Sequence, residues 1–396
     1  MSSVLIVGGG QSGAKAALEL RNAGFAGEIN ILAEETHLPY ERPPLSKDVL
    51  VQGAVAGQPP VASAEELETG RIGLHLADRV AAVDPSNRSV NTVSGKSYSY
   101  SVLVVATGAR ARRLNVPGAD LDGVVTLRDA PDAVQLRDRL LRANRVAIVG
   151  GGVLGLEVAA AARDLGVEAI VLEQASACME RMLPAAAVGP ILNLHAERGV
   201  QILCEAQVAR IEGENGPTAI VLSDGRRFEC NLVVAAIGSI ANDALVANAQ
   251  GECAGGILVD AQCRTSLPDV FAIGDVAIDR ATRIRLESWD NANRQAAIVA
   301  AVIVGQTIPD RSPPWFWTDQ YDLNVQVLGV PSAGNALVER LGSSPRQSVQ
   351  FYLRDRMVTG AVLFDSGRER RTVARLIGRE VDSAQLASAN IPLKQL

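Results

Sequence analysis

Two stretches of the chain carry glycines in the spacing GxGxxG, and each follows a short apolar run. They read VLIVGGGQSGAKAA at 4–17 and VAIVGGGVLGLEVA at 146–159. In this arrangement the first glycine makes a tight turn out of a strand, the second lets the backbone approach a pyrophosphate, and the third lets the following helix pack on the strand. The phosphates bind at the helix N-terminus, whose free N–H groups attract anions. The glycines in these roles are Gly8, Gly10 and Gly13 in the first copy and Gly150, Gly152 and Gly155 in the second.

An acidic residue follows each glycine motif by about twenty residues, the distance at which a dinucleotide site carries its ribose-binding acid. The segment EINILAEE at 28–35 predicts a strand that ends at Glu34 and Glu35, and EAIVLEQ at 168–174 predicts one that ends at Glu173. A solvated strand end is the alternative interpretation of each acid. Two dinucleotides in one chain suggest FAD for the first copy and a nicotinamide for the second. The residues alone fix neither that order nor the choice between Glu34 and Glu35.

Length and composition narrow the class of protein. The 396 residues are too many for one simple core and predict two or three domains. A formal net charge of −6 argues against nucleic acid as the main partner. The apolar run AAIVAAVIVG at 296–305 is about half as long as a membrane span, and the N-terminal segment lacks the features of an export signal. We therefore expect a soluble cytoplasmic protein.

The five cysteines and three histidines form no recognisable motif. The cysteines are odd in number and widely spaced, with no CxxC, zinc or disulfide pattern, which is typical of a reducing compartment. The histidines are scattered along the chain. We predict no metal site.

Further strings connect the two glycine motifs with a known superfamily. YSVLVVATGARAR at 100–112 and DVFAIGDVA at 269–277 resemble two short signatures of the FAD-dependent pyridine nucleotide–disulfide oxidoreductases, and LVVAAIG at 232–238 resembles the strand that closes their nicotinamide domain. Within that superfamily the chain resembles, over nearly its whole length, the NADH-dependent ferredoxin reductases that serve bacterial oxygenases and cytochromes P450. The strings that carry this resemblance are PYERPPLSK (39–47), TLRDAPDA (126–133), ESWDNA (287–292) and PWFWTDQYD (314–322). Ser101 and Ala241 depart from the usual pattern, and neither is expected to carry chemistry.

The resemblance implies an α/β fold with two Rossmann-like domains, similar to glutathione reductase, and a C-terminal α+β interface domain. We expect an FAD domain at 1–112 and 243–312, an NAD domain at 113–242, and the interface domain at 313–396. In that last part, alternation of apolar residues predicts a strand at 323–330, a hairpin at 348–365 and a helix at 368–380.

The segment PYERPPLSKDVL at 39–50 contains no cysteine, although the disulfide reductases of the superfamily carry their redox-active cysteines here. Electrons would therefore leave the flavin directly. The prolines stiffen the loop that carries Lys47, one of only four lysines in the chain. The resemblance implies that Lys47 pairs with Glu157 beside the flavin N5 atom, where a fixed cation favours the reduced ring. A solvated loop lysine and a helix-surface glutamate are the alternatives.

The resemblance also implies further cofactor contacts. Asp275, which we expect at the end of the strand VFAIGD, would bind a ribityl hydroxyl unless it is only a turn residue at that strand end. Arg42 and Arg128 would approach the FAD pyrophosphate or ring edge unless they form surface salt bridges. Ser288 is a candidate N-cap of a helix whose positive end points at the flavin. For Trp289 and Trp317, packing in the protein core is the alternative interpretation. The remaining predicted contacts are Thr107, Gly108, Gly238, Trp289 and Trp317.

We predict that the chain oxidises NADH and passes electrons through FAD, one at a time, to a small acidic [2Fe–2S] ferredoxin. Glu173 would repel the 2′-phosphate of NADPH, with Arg181 as the one nearby cation. The segment from 313 holds ten Lys/Arg against eight Asp/Glu, so Arg340 and Arg346 are candidate docking residues for an acidic partner. A rubredoxin or organic-radical reductase and a slow redox-signalling flavoprotein are alternatives. We expect a monomer or weak dimer.

Overall fold

A computed structural model describes residues 2–53, 60–180, 182–309 and 312–396 of the chain. Arg181 lies outside these described residues. The chain divides into two compact units. Unit 1 comprises Met1–Pro43, Ala56–Arg110 and Ser239–Arg311, and unit 2 comprises Pro44–Val55, Ala111–Gly238 and Ser312–Leu396.

The described residues form β-strands along most of the chain. They are β1 (Ser3–Val7), β2 (Glu28–Leu32), β3 (Ile72–His75), β4 (Val80–Asp84), β5 (Ser89–Thr92), β6 (Ser97–Ser99), β7 (Val102–Val105), β8 (Ala109–Ala111), β9 (Val124–Val125), β10 (Arg145–Val149), β11 (Glu168–Leu172), β12 (Gln201–Leu203), β13 (Val208–Glu212), β14 (Ala219–Leu222), β15 (Arg227–Glu229), β16 (Leu232–Ala235), β17 (Ser239–Ala241), β18 (Ile257–Val259), β19 (Val270–Ala272), β20 (Ala277–Asp279), β21 (Trp315–Gln320), β22 (Leu323–Gly329), β23 (Ala336–Leu341), β24 (Ser348–Arg354) and β25 (Met357–Phe364).

The α-helices are α1 (Gln11–Asn22), α2 (Asp48–Gln52), α3 (Ala64–Thr69), α4 (Ala130–Leu140), α5 (Val153–Asp164), α6 (Ala185–Glu197), α7 (Ala244–Asn248), α8 (Trp289–Val304), α9 (Arg370–Leu376) and α10 (Ser383–Ala387). Short 3-10 turns lie at Pro43–Ser46, Gly274–Val276, Pro331–Ala333, Gly367–Glu369 and Leu393–Gln395. Among the described residues, no helix combines the length and the apolar character needed to cross a bilayer.

Unit 1 is built on a parallel sheet in the order β19-β7-β1-β2-β3. Successive residues of β1 face opposite sides of this sheet, so Val4 and Ile6 belong to one core and Leu5 and Val7 to the other. Helices α1 and α8 cover the first side. Residues of the antiparallel sheet β4-β5-β6 contribute to the second core. Burial of both faces explains why these strands read as continuous apolar runs.

Unit 2 contains a parallel sheet in the order β12-β11-β10-β16-β9. Helix α5 follows β10, as α1 follows β1 in unit 1, and the antiparallel sheet β13-β14-β15 shares a core with the parallel strands. The observed α/β architecture with two Rossmann-like sheets confirms the predicted fold class. The finer division into three domains stays a prediction.

The C-terminal part of unit 2 is an antiparallel sheet in the order β21-β22-β25-β24-β23. Strand β22 confirms the strand predicted at 323–330, and β24 with β25 confirms the hairpin predicted at 348–365. Its core is lined by Phe351 and Leu363 of the sheet together with Val373 of α9 and Leu386 of α10.

The helix predicted at 368–380 is too long, because α9 spans only Arg370–Leu376. A 3-10 turn precedes it, and Ile377 after it has extended backbone angles. Beyond that point the backbone bonds to β25: Gly378 N donates to Val358 O at 2.8 Å, and Val358 N donates to Arg379 O at 2.9 Å. Pairing with the strand therefore replaces the last helical turns.

Arg340 ties the C-terminal segment to the sheet. From β23 its guanidinium donates to the backbone carbonyls of Leu386 at 3.2 Å, Ser388 at 2.6 Å, Ala389 at 3.4 Å and Ile391 at 2.7 Å. The planar fork of arginine suits such a set of acceptors. Arg340 is thus a structural anchor, and its use as a docking residue, which the charge count suggested, would compete with these bonds.

We expect Arg340→Ala to lower the free energy of unfolding by about 1–3 kcal/mol, because several carbonyl oxygens lose a charged donor. Thermal melting and limited proteolysis of the C-terminal segment measure the effect. Arg346→Ala is the matched control, since it removes only exposed ion pairs and should cost less than about 1 kcal/mol. Equal melting temperatures for the two variants would show that Arg340 does not anchor this segment.

Candidate functional site

The first glycine motif forms a cradle at the start of α1 in unit 1. Gly8 has a φ of +119°, and a Cβ atom there would collide with the carbonyl oxygen of Ala106. A Cβ on Gly13 would collide with the carbonyl oxygen of Gly8. By contrast, no heavy atom lies within 4 Å of the Cβ position of Gly10. The cradle therefore opens at the second glycine, where a pyrophosphate would approach the backbone.

The second motif repeats this geometry at the start of α5 in unit 2. Gly150 has a φ of +111° and abuts the carbonyl oxygen of Ala236, and Gly155 abuts that of Gly150. Gly152 again faces open space within 4 Å. The backbone geometry expected of the three glycines is thus found twice, and both cradles fit a dinucleotide phosphate.

Thr107 and Gly108 lie next to the first cradle. The backbone nitrogen of Thr107 is 3.2 Å from the Cβ position of Gly8. Thr107 Oγ1 donates to the carbonyl oxygen of Asn242 at 2.8 Å, and Asn242 Nδ2 donates back to the carbonyl oxygen of Thr107 at 3.0 Å. Gly108 has a φ of +62° and accepts from Asn242 N at 2.9 Å. These bonds fix the loop that borders the cradle.

Asp275 also lies close to the first cradle, in a 3-10 turn rather than at a strand end. Strand β19 stops at Ala272, three residues before it. A Cβ on the preceding Gly274 would lie 2.5 Å from Ser12 Oγ in the first turn of α1. The turn is held by Gly274 N, which donates to Gln295 Oε1 at 2.7 Å. The half-buried Asp275 is therefore placed beside the start of α1.

Helix α8 begins as predicted at Ser288. The Ser288 hydroxyl accepts from Asn291 N at 3.1 Å, which identifies it as the N-cap. Trp289, in the first turn, is half-buried and donates from Nε1 to Glu41 Oε1 at 3.1 Å. Gln11 Nε2 of α1 donates to Asn293 Oδ1 at 2.9 Å, so the N-terminal ends of α1 and α8 lie side by side.

The two candidate acids of the first motif differ in their surroundings. Strand β2 ends at Leu32, so neither Glu34 nor Glu35 belongs to it, and the predicted strand was too long. Glu34 is 70% exposed, with Arg79 Nε at 3.7 Å. Glu35 uses both carboxylate oxygens, accepting from Arg42 at 2.6 Å and from the Tyr40 hydroxyl at 2.6 Å.

Backbone pairing shows how the two copies correspond. Gly8 N donates to Leu32 O, and Gly150 N donates to Leu172 O. The residue after Leu172 is Glu173, so its counterpart in the first copy is Ala33, and Glu34 lies one position further along the chain. The sequence pattern did not distinguish this offset of one residue.

Glu173 faces the second glycine motif directly. Its carboxylate accepts from Gly151 N at 2.6 Å and from Ala175 N at 2.8 Å.

Gly238, also predicted to contact the nucleotide, follows the strand β16 and has a φ of +92°, and its carbonyl accepts from Arg112 N at 2.9 Å. Arg128 lies just before α4, where its backbone nitrogen donates to Asp132 Oδ2 at 2.8 Å.

Lys47 and Glu157 form an ion pair in unit 2, with Nζ 3.0 Å from Oε1. The lysine side chain is 17% exposed and the glutamate 5% exposed. The prolines of the PPLSK string start a 3-10 turn, Pro43–Ser46, which leads directly into α2 and leaves Lys47 as its N-cap. The stiff loop thus presents the lysine to the first turns of α5, and the predicted pairing is confirmed.

Two further donors of Glu157 were missed by sequence reasoning. Ser46 donates its hydroxyl to Oε2, and Thr318 donates its hydroxyl to Oε1 at 2.6 Å. Both residues lie inside strings already singled out, PPLSK and WFWTDQ, but nothing in their spacing connects them with position 157. The carboxylate therefore accepts one charged and two neutral donors.

The aromatic string at 315–317 is stacked within unit 2. The rings of Trp315 and Trp317 are 5.0 Å apart and inclined by 19°, and the guanidinium of Arg370 lies 4.2 Å from the centre of the Trp315 ring. Trp317 is half-buried. Its contact with the cofactor stays a prediction.

Three thiols of this chain hold their protons at neutral pH. Burial raises the pKa of Cys178 to about 12 and those of Cys230 and Cys253 to about 11. No disulfide joins the five cysteines. Within the described ranges, no group of three or more His, Cys, Asp or Glu side chains is arranged to hold a metal ion.

Comparison with known proteins gives consistent matches over the whole chain. A family model described as pyridine nucleotide-disulphide oxidoreductase matches residues 2–296, and one described as reductase C-terminal matches residues 315–396. The ferredoxin--NAD(+) reductase component of a 3-phenylpropionate/cinnamic acid dioxygenase from Photorhabdus laumondii is 36% identical over 377 residues, which covers 94% of this chain and 95% of the relative.

Two solved structures are similar over the full length. The ferredoxin reductase for the CYP199A2 system from Rhodopseudomonas palustris has a TM-score of 0.94 at 33% identity and covers 100% of this chain and 99% of its own. The reductase in the covalent putidaredoxin reductase–putidaredoxin complex has a TM-score of 0.91 at 30% identity, with 100% and 97% covered.

The glycine geometry predicts different effects for alanine substitutions at Gly152, the N-cap of α5, and at Gly155 within this helix. Gly155→Ala should lower the free energy of unfolding by about 1–3 kcal/mol, because the added methyl group overlaps the carbonyl oxygen of Gly150. Gly152→Ala should cost less than about 1 kcal/mol, since its Cβ faces open space. It should instead weaken dinucleotide binding about tenfold, because the methyl group fills the space that a pyrophosphate needs.

Chemical denaturation measures the first effect, and calorimetric titration with NADH measures the second. Wild-type affinity of the Gly152→Ala variant would contradict the assignment of this cradle to a dinucleotide phosphate.

Proposed function

Because the chain belongs to the pyridine nucleotide-disulphide oxidoreductase family, we propose that it is an NADH-dependent flavoprotein reductase that passes electrons through FAD, one at a time, to a [2Fe–2S] ferredoxin. The observation that carries this proposal is the pair of dinucleotide cradles combined with a cysteine-free PPLSK segment, whose lysine is held by a buried carboxylate. The ferredoxin would serve an oxygenase or a cytochrome P450.

In this proposal the first cradle holds FAD. Gly10 admits the pyrophosphate, Thr107 and Gly108 border it, and Asp275 lies beside the same helix start, in reach of a ribityl hydroxyl. We assign the ribose to Glu34 rather than Glu35, because the charge of Glu35 is compensated by Arg42 at 2.6 Å, whereas Glu34 is 70% exposed and its ion-pair partner, Arg79 Nε, lies at 3.7 Å. When bound, FAD accepts a hydride and can release electrons singly.

The second cradle holds NADH. Glu173 is fixed at the glycine loop by two backbone N–H groups, which leaves lone pairs of its carboxylate for ribose hydroxyls. The same charge would repel the 2′-phosphate of NADPH. The next residues, Gln174, Ala175 and Ser176, offer no cation to accept that phosphate. NADH is therefore the expected electron donor.

The role proposed for Lys47 is to present a fixed cation to the flavin, and the role of Glu157 is to hold that cation in place. A lysine that is 17% exposed and bonded to a carboxylate keeps one side-chain conformation, whereas a solvated loop lysine would sample many conformations. No thiol stands in this segment to relay electrons. Release of electrons directly from the cofactor is the route that remains.

The partner-binding surface that we propose lies on α9. Arg371 and Arg375 are four residues apart and therefore share one side of this helix, and Arg368 stands in the turn before it. All three are exposed, and none forms an ion pair with a described acidic residue. We call these three residues the basic face of α9. An acidic ferredoxin would be attracted to it, most strongly at low salt.

The two arginines first considered for docking have other partners. Arg340 binds backbone carbonyls, and Arg346 pairs with Asp322 at 2.7 Å and with Asp365 at 3.4 Å. The Asp322 carboxylate raises the pKa of Arg346. A charge that is already compensated contributes less to the field that steers a partner.

Turnover with candidate acceptors tests the proposed function. With NADH, acidic [2Fe–2S] ferredoxin and cytochrome c as the terminal acceptor, we expect sustained reduction of cytochrome c. Acid precipitation of the purified protein should release FAD into the supernatant. Preference for rubredoxin or a small organic radical would favour the alternative reductase. Slow turnover with every acceptor would favour a redox-signalling flavoprotein. NADPH used as efficiently as NADH would contradict the role of Glu173.

The Lys47–Glu157 pair gives a kinetic prediction. Glu157→Gln should slow flavin reduction by NADH at least about tenfold, because it removes the buried carboxylate that pairs with the half-buried lysine. Stopped-flow absorbance measures this rate. Glu168→Gln is the control, since it removes an exposed acid of β11 paired with Arg145 and should leave the rate unchanged. Equal rates in both variants would refute the role of the pair.

The basic face of α9 gives a prediction about electron delivery. The double change Arg371→Gln and Arg375→Gln should lower kcat/KM for ferredoxin about tenfold at low salt and less at high salt, with ferricyanide reduction unchanged. Arg226→Gln with Arg227→Gln removes the same charge from exposed positions around β15 and serves as control. A matching loss with the control pair would show that only net charge matters.

A further inference from the structure

A line of buried polar side chains leads away from Glu157 inside unit 2. The Thr318 hydroxyl bonds to Glu157 Oε1 at 2.6 Å, Gln320 Nε2 bonds to Thr318 Oγ1 at 2.9 Å, and Gln320 Oε1 bonds to His195 Nε2 at 2.9 Å. Tyr321 then bonds through its hydroxyl to His195 Nδ1 at 3.4 Å. Thr318, Gln320 and His195 are all 0% exposed.

This line joins three elements of the unit. Glu157 lies on α5, His195 lies on α6, and Thr318 and Gln320 are two residues apart on β21, so their side chains share one face of that strand. Strand β21 packs against α5. Apolar side chains would normally occupy such a face, because a buried polar group costs free energy unless it is hydrogen-bonded. Here each polar side chain of the line has a hydrogen-bond partner.

The charge of Glu157 sets the direction of the whole line. A carboxylate only accepts, so Thr318 must donate its single hydroxyl hydrogen to it. The Thr318 oxygen can then only accept, which places the NH2 group of Gln320 towards it and the amide oxygen towards His195. That oxygen needs a donor, so His195 carries its proton on Nε2. Its Nδ1 atom is left as an acceptor for Tyr321.

The other end of the line is consistent with this direction. Burial raises the pKa of Tyr321 to about 12, so its hydroxyl keeps the hydrogen that it donates. Burial also lowers the pKa of His195 from its ordinary value of 6.5, so the ring is neutral at pH 7. A neutral ring has one donor and one acceptor nitrogen, which is what its two partners require.

We propose that Thr318, Gln320 and His195 are positioning residues, which orient the Glu157 carboxylate for its pairing with Lys47 and are themselves aligned by its charge. Hydrogen bonds that all point the same way polarise one another, so each strengthens the next. The line does not carry protons, because the amide of Gln320 interrupts it. Its effect is to hold one orientation of the carboxylate, and His195 as the Nε2–H tautomer.

The tautomer of His195 can be measured directly. The chain has three histidines, so 15N-histidine labelling gives few signals to assign. For the wild type we expect His195 with a protonated Nε2 and an unprotonated Nδ1 at pH 7. Thr318→Val keeps the volume but removes the hydroxyl, which frees Gln320 to turn its amide over. Glu157→Gln likewise removes the acceptor-only group. Both variants should show a mixture of tautomers, and Thr318→Ser should restore the single form.

A protonated Nδ1 in the wild type would overturn the proposed direction. If His195 kept the wild-type tautomer in both Thr318→Val and Glu157→Gln, the charge of Glu157 would not be what aligns the line of hydrogen bonds. Because the wild type and Glu157→Gln supply these readings by themselves, the test stands even if Thr318→Val fails to fold.

The positioning role rests on the proposed function and is measured separately. Thr318→Val should slow flavin reduction by NADH at least threefold with an unchanged affinity for NADH, and Thr318→Ser should restore most of the rate. A changed tautomer with an unchanged rate would overturn the positioning role. If the wild-type holoprotein is not reduced by NADH at all, the proposed function fails, while the tautomer measurement still reports on the line itself.

Discussion

The buried carboxylate of Glu157 needs a cation and hydrogen-bond donors, and it obtains them from distant parts of the chain. Lys47 and Ser46 come from the PPLSK segment and Thr318 comes from the first strand of the C-terminal sheet. Breaking such a buried ion pair costs several kcal/mol. In the folded protein the carboxylate has both its cation and its hydroxyl donors. This requirement explains why residues 44–53 belong to the same compact unit as the second dinucleotide cradle and the C-terminal sheet.

The glycine cradles impose a second constraint, which is local. At Gly8 and Gly150 the positive φ and the nearby carbonyl oxygen leave no room for a side chain, and Gly13 and Gly155 let a helix approach its own loop. The duplication of these features gives the protein two helix starts with the same shape, and each fits a phosphate group. Whatever differs between the sites must then come from the residues around them, such as Glu173 in one and Asp275 in the other.

The arginines near the C-terminal sheet fall into two groups. Arg340 and Arg346 stabilise the fold through carbonyl oxygens and carboxylates, whereas the basic face of α9 has no such partners among the described acids. A count of charges along the sequence cannot separate these groups, because it contains no information about which acceptors are near. The distinction matters for the proposed docking surface, since uncompensated charge would attract an acidic partner more strongly over a distance.

The sequence by itself determined the two cradles, the fold class, the Ser288 cap and the C-terminal hairpin, because each depends on spacing over a few residues or on a repeated local pattern. The resemblance of its strings to a known family added the pairing of Lys47 with Glu157. Only the tertiary structure decided where β2 and α9 end, since backbone pairing with other strands sets those limits. It alone also brought Ser46 and Thr318 to Glu157, across 111 and 161 residues of chain. Hydrogen bonds between such distant positions leave no periodic signal in a sequence, because they arise only when separately folded elements are packed together.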